Sequence, residues 1–223
     1  MILPTTSKLG RKGGIINMMS SLRNAKRKKG YNKYAVDQIV HRALTGRFYR
    51  LFVNMTFMGA NGKPFLFDYL ILTQSGIIAI ETKYIEGILH GHAQDSIWSC
   101  VPLKGLVSRV PNPHPLNEKL ASRLRAVLGE NAPPIVAYTV FTHSKLMLDI
   151  KSRVPEGVFN LAMFAAHMSK WSQIENVISD IELEEWHEQI SKLRKTDEVL
   201  VEKQHNYARN LRRMRKERKV INS

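Results

Sequence analysis

The spacing of apolar residues predicts alternating helices and strands in the first half of the chain. Between Tyr31 and Leu44, apolar residues recur three and four positions apart, which predicts an amphipathic helix. Residues 47–58 contain enough aromatic and β-branched residues to predict a first strand. Two continuous apolar runs, over residues 65–72 and 76–83, predict two buried strands joined by a tight turn.

The second half of the chain is predicted to be mainly helical, with two further strands. The pattern predicts a helix over 112–129, a strand over 135–142, a brief strand and a helix over 158–171, an amphipathic helix over 173–193 and a charged helix over 196–219. Residues 85–111 look irregular or lightly stranded, and 97–101 is the best candidate strand among them. In the helix over 112–129, leucines recur four apart and predict a core-packing face: Leu116, Leu120, Leu124 and Leu128.

Three charged residues, Asp68, Glu81 and Lys83, lie within or at the end of the two buried runs. Burial of an ionised group is costly unless the group is paired, hydrogen-bonded or bound to a metal. Side chains alternate along a strand, so Glu81 and Lys83 share one face, and a hairpin would bring Asp68 alongside them. The two carboxylates would form an oxygen pocket suited to Mg²⁺ or Mn²⁺. The alternative is a structural ion-pair cluster in which Lys83 satisfies one carboxylate.

This arrangement resembles the metal-dependent nuclease superfamily named for its PD-(D/E)xK signature. Asp68 is followed, after twelve residues, by Glu81-Thr82-Lys83, and Phe67 stands in place of the proline. Over roughly residues 34–143 the chain more closely resembles the nuclease-related domain (NERD) family. Further landmarks carry this resemblance: Glu86-Gly87-Ile88, Gly91, Trp98, Asn112-Pro113 at the start of a helix, and the strand from Ile135 to Phe141.

The resemblance implies an α/β fold of the restriction-endonuclease type, with a central mixed sheet of four or five strands flanked by helices. It also implies Mg²⁺-dependent or Mn²⁺-dependent hydrolysis of phosphodiester bonds in DNA. Asp68 and Glu81 would bind the metal, the backbone carbonyl of Thr82 would add an oxygen, and Lys83 would orient or help to deprotonate the attacking water.

Two positions depart from the family pattern. Asp37 stands where the family usually carries a glutamate, and it would either hold a second metal or a metal-bound water, or be an exposed helix acid. Leu116 stands where a glutamine is expected. These departures favour the alternative of a catalytically weak or inactive nucleic-acid-binding protein on the same fold.

Charge is concentrated at the two ends of the chain. Residues 1–33 contain nine lysines and arginines and no acid, and residues 192–223 contain eleven against four acids, whereas 34–191 are nearly neutral. We therefore expect a flexible basic arm, a nuclease-like α/β domain and a basic helical tail. The arms would bind nucleic acid, with DNA favoured. The candidate contacts are Lys26, Arg27, Lys28, Lys29, Arg209, Arg212, Arg213, Arg215 and Lys216.

Other partners and the compartment follow from weaker observations. An anionic membrane surface is the less favoured polyanion, and the sequence leaves open whether the chain forms a homodimer to cut two strands. No apolar run approaches the roughly 20 residues that span a bilayer, and Cys100 is the single cysteine, so a soluble cytoplasmic protein is expected. His90 and His92 are interpreted as a loop pair that contacts DNA or nothing, rather than as a transition-metal site.

Overall fold

A computed structural model describes residues 33–103, 105–171 and 173–195 of the 223-residue chain. The predicted basic arm over 1–33 and tail over 192–223 lie almost entirely outside these residues, and so does the charged helix predicted over 196–219.

The described residues form a mixed α/β structure. Its helices are α1 (Lys33–Ala43), α2 (Pro113–Leu128), α3 (Leu161–Trp171) and α4 (Asp180–Lys195). Its strands are β1 (Tyr49–Met58), β2 (Pro64–Thr73), β3 (Gly76–Lys83), β4 (Gly87–His92), β5 (Ile97–Val101), β6 (Ser108–Pro111), β7 (Ile135–Phe141), β8 (Leu146–Lys151) and β9 (Val158–Asn160). None of the helices in this part of the chain is long and apolar enough to cross a membrane.

The strands form two mixed sheets. The first has the order β1-β2-β3-β7-β9, with antiparallel pairing along β1-β2-β3 and parallel pairing of β7 with β9. This sheet confirms the predicted central mixed sheet flanked by helices. The second has the order β6-β5-β4-β8, in which only the β4–β8 pairing is parallel. The sequence did not predict this second sheet.

The described chain divides into two compact units. The hairpin unit comprises the described parts of 46–81, 113–138 and 173–223, and the second-sheet unit comprises those of 1–45, 82–112 and 139–172. In the hairpin unit, strands β1 to β3 bury apolar side chains against α2 and α4, whose contributions include Leu124, Leu183 and Ile190. Each fully buried aliphatic side chain contributes about 1.5–3 kcal/mol of transfer free energy, so this core is the main source of the unit's stability.

The second-sheet unit buries one face of its four strands. The buried residues include Leu89, Trp98, Cys100, Leu146 and Ile150. Neighbouring positions such as His90, Ser99 and Asp149 are exposed or half-buried, so the strands alternate between apolar and polar residues.

Three sequence predictions require correction. Residues 85–111 contain three strands, of which only β5 was located from the sequence, and β8 was not predicted at all. These strands are short and bury one face only, so they lack the continuous apolar runs that mark β2 and β3. Helix α4 begins at Asp180 rather than at residue 173. It begins there because Ser179 and Glu182 form a capping box, a signal that is visible in the sequence.

Candidate active site

The β2–β3 hairpin of the first sheet carries the two predicted metal-binding carboxylates. Its turn is closed by a hydrogen bond of 2.9 Å from Thr73 Oγ1 to the carbonyl of Gly76. Gly76 has a φ of 130°, and a Cβ there would lie 2.4 Å from the carbonyl oxygen of Pro134. Glycine is therefore required by both backbone conformation and space. This turn sets the register between β2 and β3.

Continuing the β2–β3 register by one step beyond its last pair brings Asp68 opposite Glu81. The β2–β3 pairs run from Thr73 opposite Gly76 to Tyr69 opposite Ile80, and both strands continue beyond the last pair. The next residues are Asp68 and Glu81, and both are half-buried where Tyr69 and Ile80 are fully buried. Directly opposed residues of antiparallel strands have Cβ atoms roughly 4.5–5.5 Å apart, close enough for two carboxylates to share one cation.

Counted in steps of two, both acids are in phase with apolar residues of one core. Steps of two along β2 lead from Leu72 and Leu70 to Asp68, and steps of two along β3 lead from Ile77 and Ala79 to Glu81. The four apolar residues belong to one buried cluster. On this spacing each acid lies two residues from an apolar member of that cluster, Asp68 from Leu70 and Glu81 from Ala79.

Lys83 follows Glu81 by two positions at the end of β3, and it is half-buried like the two acids. Side chains two apart on a strand project from the same face, so the strand directs Lys83 and Glu81 to one side. The carbonyl of Lys83 accepts a hydrogen bond of 2.9 Å from the backbone N–H of Thr142. Thr82 alternates to the other face, and its side chain is buried.

A histidine that the sequence did not single out lies close to the end of β3. The ring of His143 packs edge-on against that of Tyr84, with centroids 4.6 Å apart, and its Nε2 lies 3.7 Å from Glu86. Its Nδ1 accepts a hydrogen bond of 3.1 Å from the N–H of Lys145. The neutral ring therefore carries its proton on Nε2. The available signal was the position of His143 just after the apolar strand β7.

The other sequence candidates are carried by α1 and β4. Asp37 is on α1, half-buried with its Oδ1 buried, and strand register does not position it. His90 and His92 lie on strand β4, so their assignment to a loop was wrong. His90 stands opposite Asp149 of β8, and its Nδ1 lies 2.7 Å from the Asp149 carboxylate.

The glycine landmarks of the family resemblance have structural roles. A Cβ at Gly87 would lie 2.3 Å from the carbonyl oxygen of Val101, and one at Gly91 would lie 2.3 Å from Cδ1 of Trp98. Trp98 is completely buried and donates its indole N–H to the carbonyl of His92 over 2.9 Å. These residues therefore serve the packing of β4 against β5.

Asn112, which directly follows β6, is hydrogen-bonded to the loop between β4 and β5. Its side-chain amide donates to the carbonyls of Ala93 and Asp95, over 2.9 and 2.7 Å. The side chain is buried, so the two bonds satisfy an amide that would be costly to leave unpaired.

Comparison with family models assigns the chain to a family. Residues 29–142, just over half of the chain, match the model described as the nuclease-related domain. The chain belongs to the nuclease-related domain family. A search of curated proteins finds no match. The matched span of this NERD protein contains Asp68, Glu81 and Lys83 together with the packing landmarks.

The donor set of the NERD hairpin suits a hard cation. Asp68 and Glu81 offer carboxylate oxygens, and Mg²⁺ is commonly bound through one or two carboxylates with water and phosphate as the other ligands. Among the described residues, no group of three or more His, Cys, Asp or Glu could hold a metal by itself. Two carboxylates alone would leave the remaining positions around such an ion to water and phosphate.

The remaining sequence candidates are divided between the surface and the undescribed ends. Leu116 is 40% exposed on α2, so its assignment to the core was wrong, whereas Leu124 is completely buried. All nine candidate nucleic-acid contacts lie outside the described residues: Lys26, Arg27, Lys28, Lys29, Arg209, Arg212, Arg213, Arg215 and Lys216.

Proposed function

We propose that this NERD protein is a metal-dependent nuclease that hydrolyses phosphodiester bonds in DNA. The observation that supports the proposal is the register of the β2–β3 hairpin, whose last pair is Tyr69 and Ile80 and which leads in its next step to Asp68 and Glu81, with Lys83 two residues further on. Two acids and a lysine at half-buried positions form a set that combines cation binding with phosphate chemistry.

Each residue has a distinct role in the proposed reaction. Asp68 and Glu81 would hold Mg²⁺ or Mn²⁺, with the carbonyl of Thr82 as a further ligand. The bound ion would lower the pKa of a coordinated water and neutralise charge on the scissile phosphate. Lys83 would orient that water or accept its proton, and it would offset the charge that develops on the phosphate oxygens. The backbone bond from Thr142 to Lys83 supports the strand end that carries the lysine.

The ends of the chain would supply affinity without sequence preference. Their lysines and arginines would neutralise phosphates and release condensed counterions, so binding would weaken steeply with salt. A cytoplasmic location and a DNA substrate, rather than RNA, stay predictions. The sequence leaves the homodimer open.

Cleavage of supercoiled plasmid and of single-stranded DNA at low salt tests the proposal. The wild type, Lys83→Ala and Asp68→Asn are compared in Mg²⁺, in Mn²⁺ and in EDTA. Lys151→Ala is the matched control, because Lys151 is an exposed lysine on β8. We expect metal-dependent cutting by the wild type and the control, and a loss of about 100-fold or more in the other two variants.

A non-catalytic nucleic-acid-binding protein is the second candidate. It is favoured by Leu116, an exposed apolar residue where a polar family residue is expected. This candidate takes the lead if the wild type cuts no DNA in either metal yet binds DNA with a steep salt dependence. Equal cutting by the wild type and Lys83→Ala would instead refute the role of Lys83.

A further inference from the structure

The residue opposite Asp68 on its other neighbouring strand has an unusual backbone conformation. In the β1–β2 register, Val53 stands opposite Tyr69 and Met55 opposite Phe67. Asn54 therefore faces Asp68. Asn54 has a φ of 55°, in the left-handed region, and the other described non-glycine residue with a positive φ is Ser152.

The alternation of side chains slips by one residue at this same place. Phe52 and Met55 are three residues apart on β1, yet both belong to one buried core cluster. Phe67 and Leu70, three apart on β2, belong to that cluster as well. Residues three apart on a regular strand face opposite sides of the sheet. Each strand must therefore lose its alternation once. Asn54 lies between Phe52 and Met55, and Asp68 lies between Phe67 and Leu70.

The slip reconciles two demands on neighbouring residues of β2. Phe67 is fully buried in the core. The proposed metal site requires Asp68 to keep the spacing of two with Leu70 and Leu72, because these residues pair with Ala79 and Ile77, which are in phase with Glu81. On a regular strand these two demands exclude each other, because consecutive side chains point to opposite faces.

We propose that Asn54 is a positioning residue for the metal-binding pair, and that its left-handed backbone sets the slip that lets Asp68 face Glu81 while Phe67 stays in the core. Irregular strand residues beside functional sites commonly re-aim a side chain in this way. Asparagine is among the few non-glycine residues that enter the left-handed region readily. Asn54 is exposed, so its role lies in its backbone conformation rather than in core packing. It rests on the proposed function insofar as Asp68 and Glu81 bind the ion.

Substitutions at Asn54 separate backbone conformation from side chain. Asn54→Gly keeps access to the left-handed region without a side chain, whereas the β-branched residue in Asn54→Val disfavours that region. Ser152→Val is the matched control, because Ser152 is also exposed and has a φ of 75°. The readouts are the Mg²⁺ concentration for half-maximal cleavage and the Mg²⁺-induced rise in Tm, which needs no catalysis.

We expect Asn54→Val to raise the half-maximal Mg²⁺ concentration by about tenfold or more and to reduce the Mg²⁺-induced rise in Tm. Asn54→Gly should behave as the wild type. Ser152→Val should lower Tm without changing either Mg²⁺ readout. If Asn54→Val does not fold, Asn54→Ala, which lacks the branch, should show a smaller shift in the same direction.

The inference is overturned if Asn54→Val or Asn54→Ala loses stability but keeps the wild-type response to Mg²⁺. Asp68→Asn distinguishes this outcome from failure of the site itself. If Asp68→Asn also keeps the wild-type response to Mg²⁺, the proposed metal site fails together with the inference. If Asp68→Asn abolishes the response while the Asn54 variants retain it, only the positioning role fails.

Discussion

Gly91 and Trp98 are packed so closely that a Cβ on the glycine would lie 2.3 Å from Cδ1 of the indole. Gly91→Ala should therefore force Trp98 to move and destabilise the protein by about 1–3 kcal/mol, as overpacking in a core does. Gly46→Ala is the comparison for backbone conformation alone, because Gly46 has a φ of 79° and no atom lies within 4 Å of a Cβ built there. Denaturant unfolding measures both variants. A Gly91→Ala protein as stable as the wild type would contradict the close packing.

Glu81→Gln tests the second carboxylate without changing side-chain size. The neutral amide binds Mg²⁺ more weakly than the carboxylate, so we expect cleavage in Mg²⁺ to fall by about 100-fold or more. Binding of DNA in EDTA should stay at the wild-type level, because affinity is assigned to the basic ends of the chain. Glu130→Gln, at an exposed position after α2, provides the control. Undiminished cleavage by Glu81→Gln would exclude Glu81 as a ligand.

Stability should fall as the pH drops below neutrality, because burial lowers the pKa of His187 from its ordinary 6.5. Arg50 lowers that pKa further, whereas Glu188 raises it. The folded state then binds fewer protons than the unfolded state, so stability is full above about pH 6.5 and decreases as the pH falls towards the lowered pKa. Urea unfolding over a pH series from about 5.5 to about 7.5 should show this slope.

His187→Gln should flatten that pH dependence. His167 contributes to the slope that remains, since burial lowers its pKa as well. A slope of the opposite sign in the wild type, or one that His187→Gln leaves unchanged, would contradict the assigned role of His187.

Ser179 is expected to stabilise the start of α4. Its Oγ accepts a hydrogen bond of 3.3 Å from the N–H of Glu182, and the Glu182 carboxylate accepts one of 2.7 Å from the N–H of Ser179. Because α4 carries Leu183 and Ile190 into the hairpin core, Ser179→Ala should lower Tm by roughly 2–4 °C. Ser179→Asp, which keeps an N-cap acceptor, should retain most of the wild-type Tm. Equal losses in both variants would argue against capping.

The salt dependence of DNA binding should report the contribution of the tail. Replacing Arg212, Arg213 and Arg215 together by glutamine should reduce the slope of log affinity against log salt by about 0.9 for each phosphate that is no longer neutralised. Fluorescence anisotropy over a salt series measures the slope, and the difference from the wild type should narrow at high salt. An unchanged slope would show that these arginines do not bind phosphate.

Parts of the fold could be predicted from the sequence because their signals are local. The runs that became β2 and β3 are continuous and apolar, and a turn lies between them, so the hairpin and its three charged residues were predictable. The capping box at Ser179 and Glu182 was equally local and would have located the start of α4. Strands β4 and β8 carry weaker signals, since they bury one face each and pair in parallel across a long connection.

The sequence by itself determined the family and the hairpin that carries Asp68 and Glu81, because strand period, turn chemistry and motif spacing act between residues close in the chain. Only the tertiary structure decided which residues face one another across strands. It set Asn54 opposite Asp68, His90 beside Asp149 and Gly91 beneath Trp98. Such pairings depend on register and on contacts between distant segments, and the hydrophobic pattern of either segment alone does not specify them.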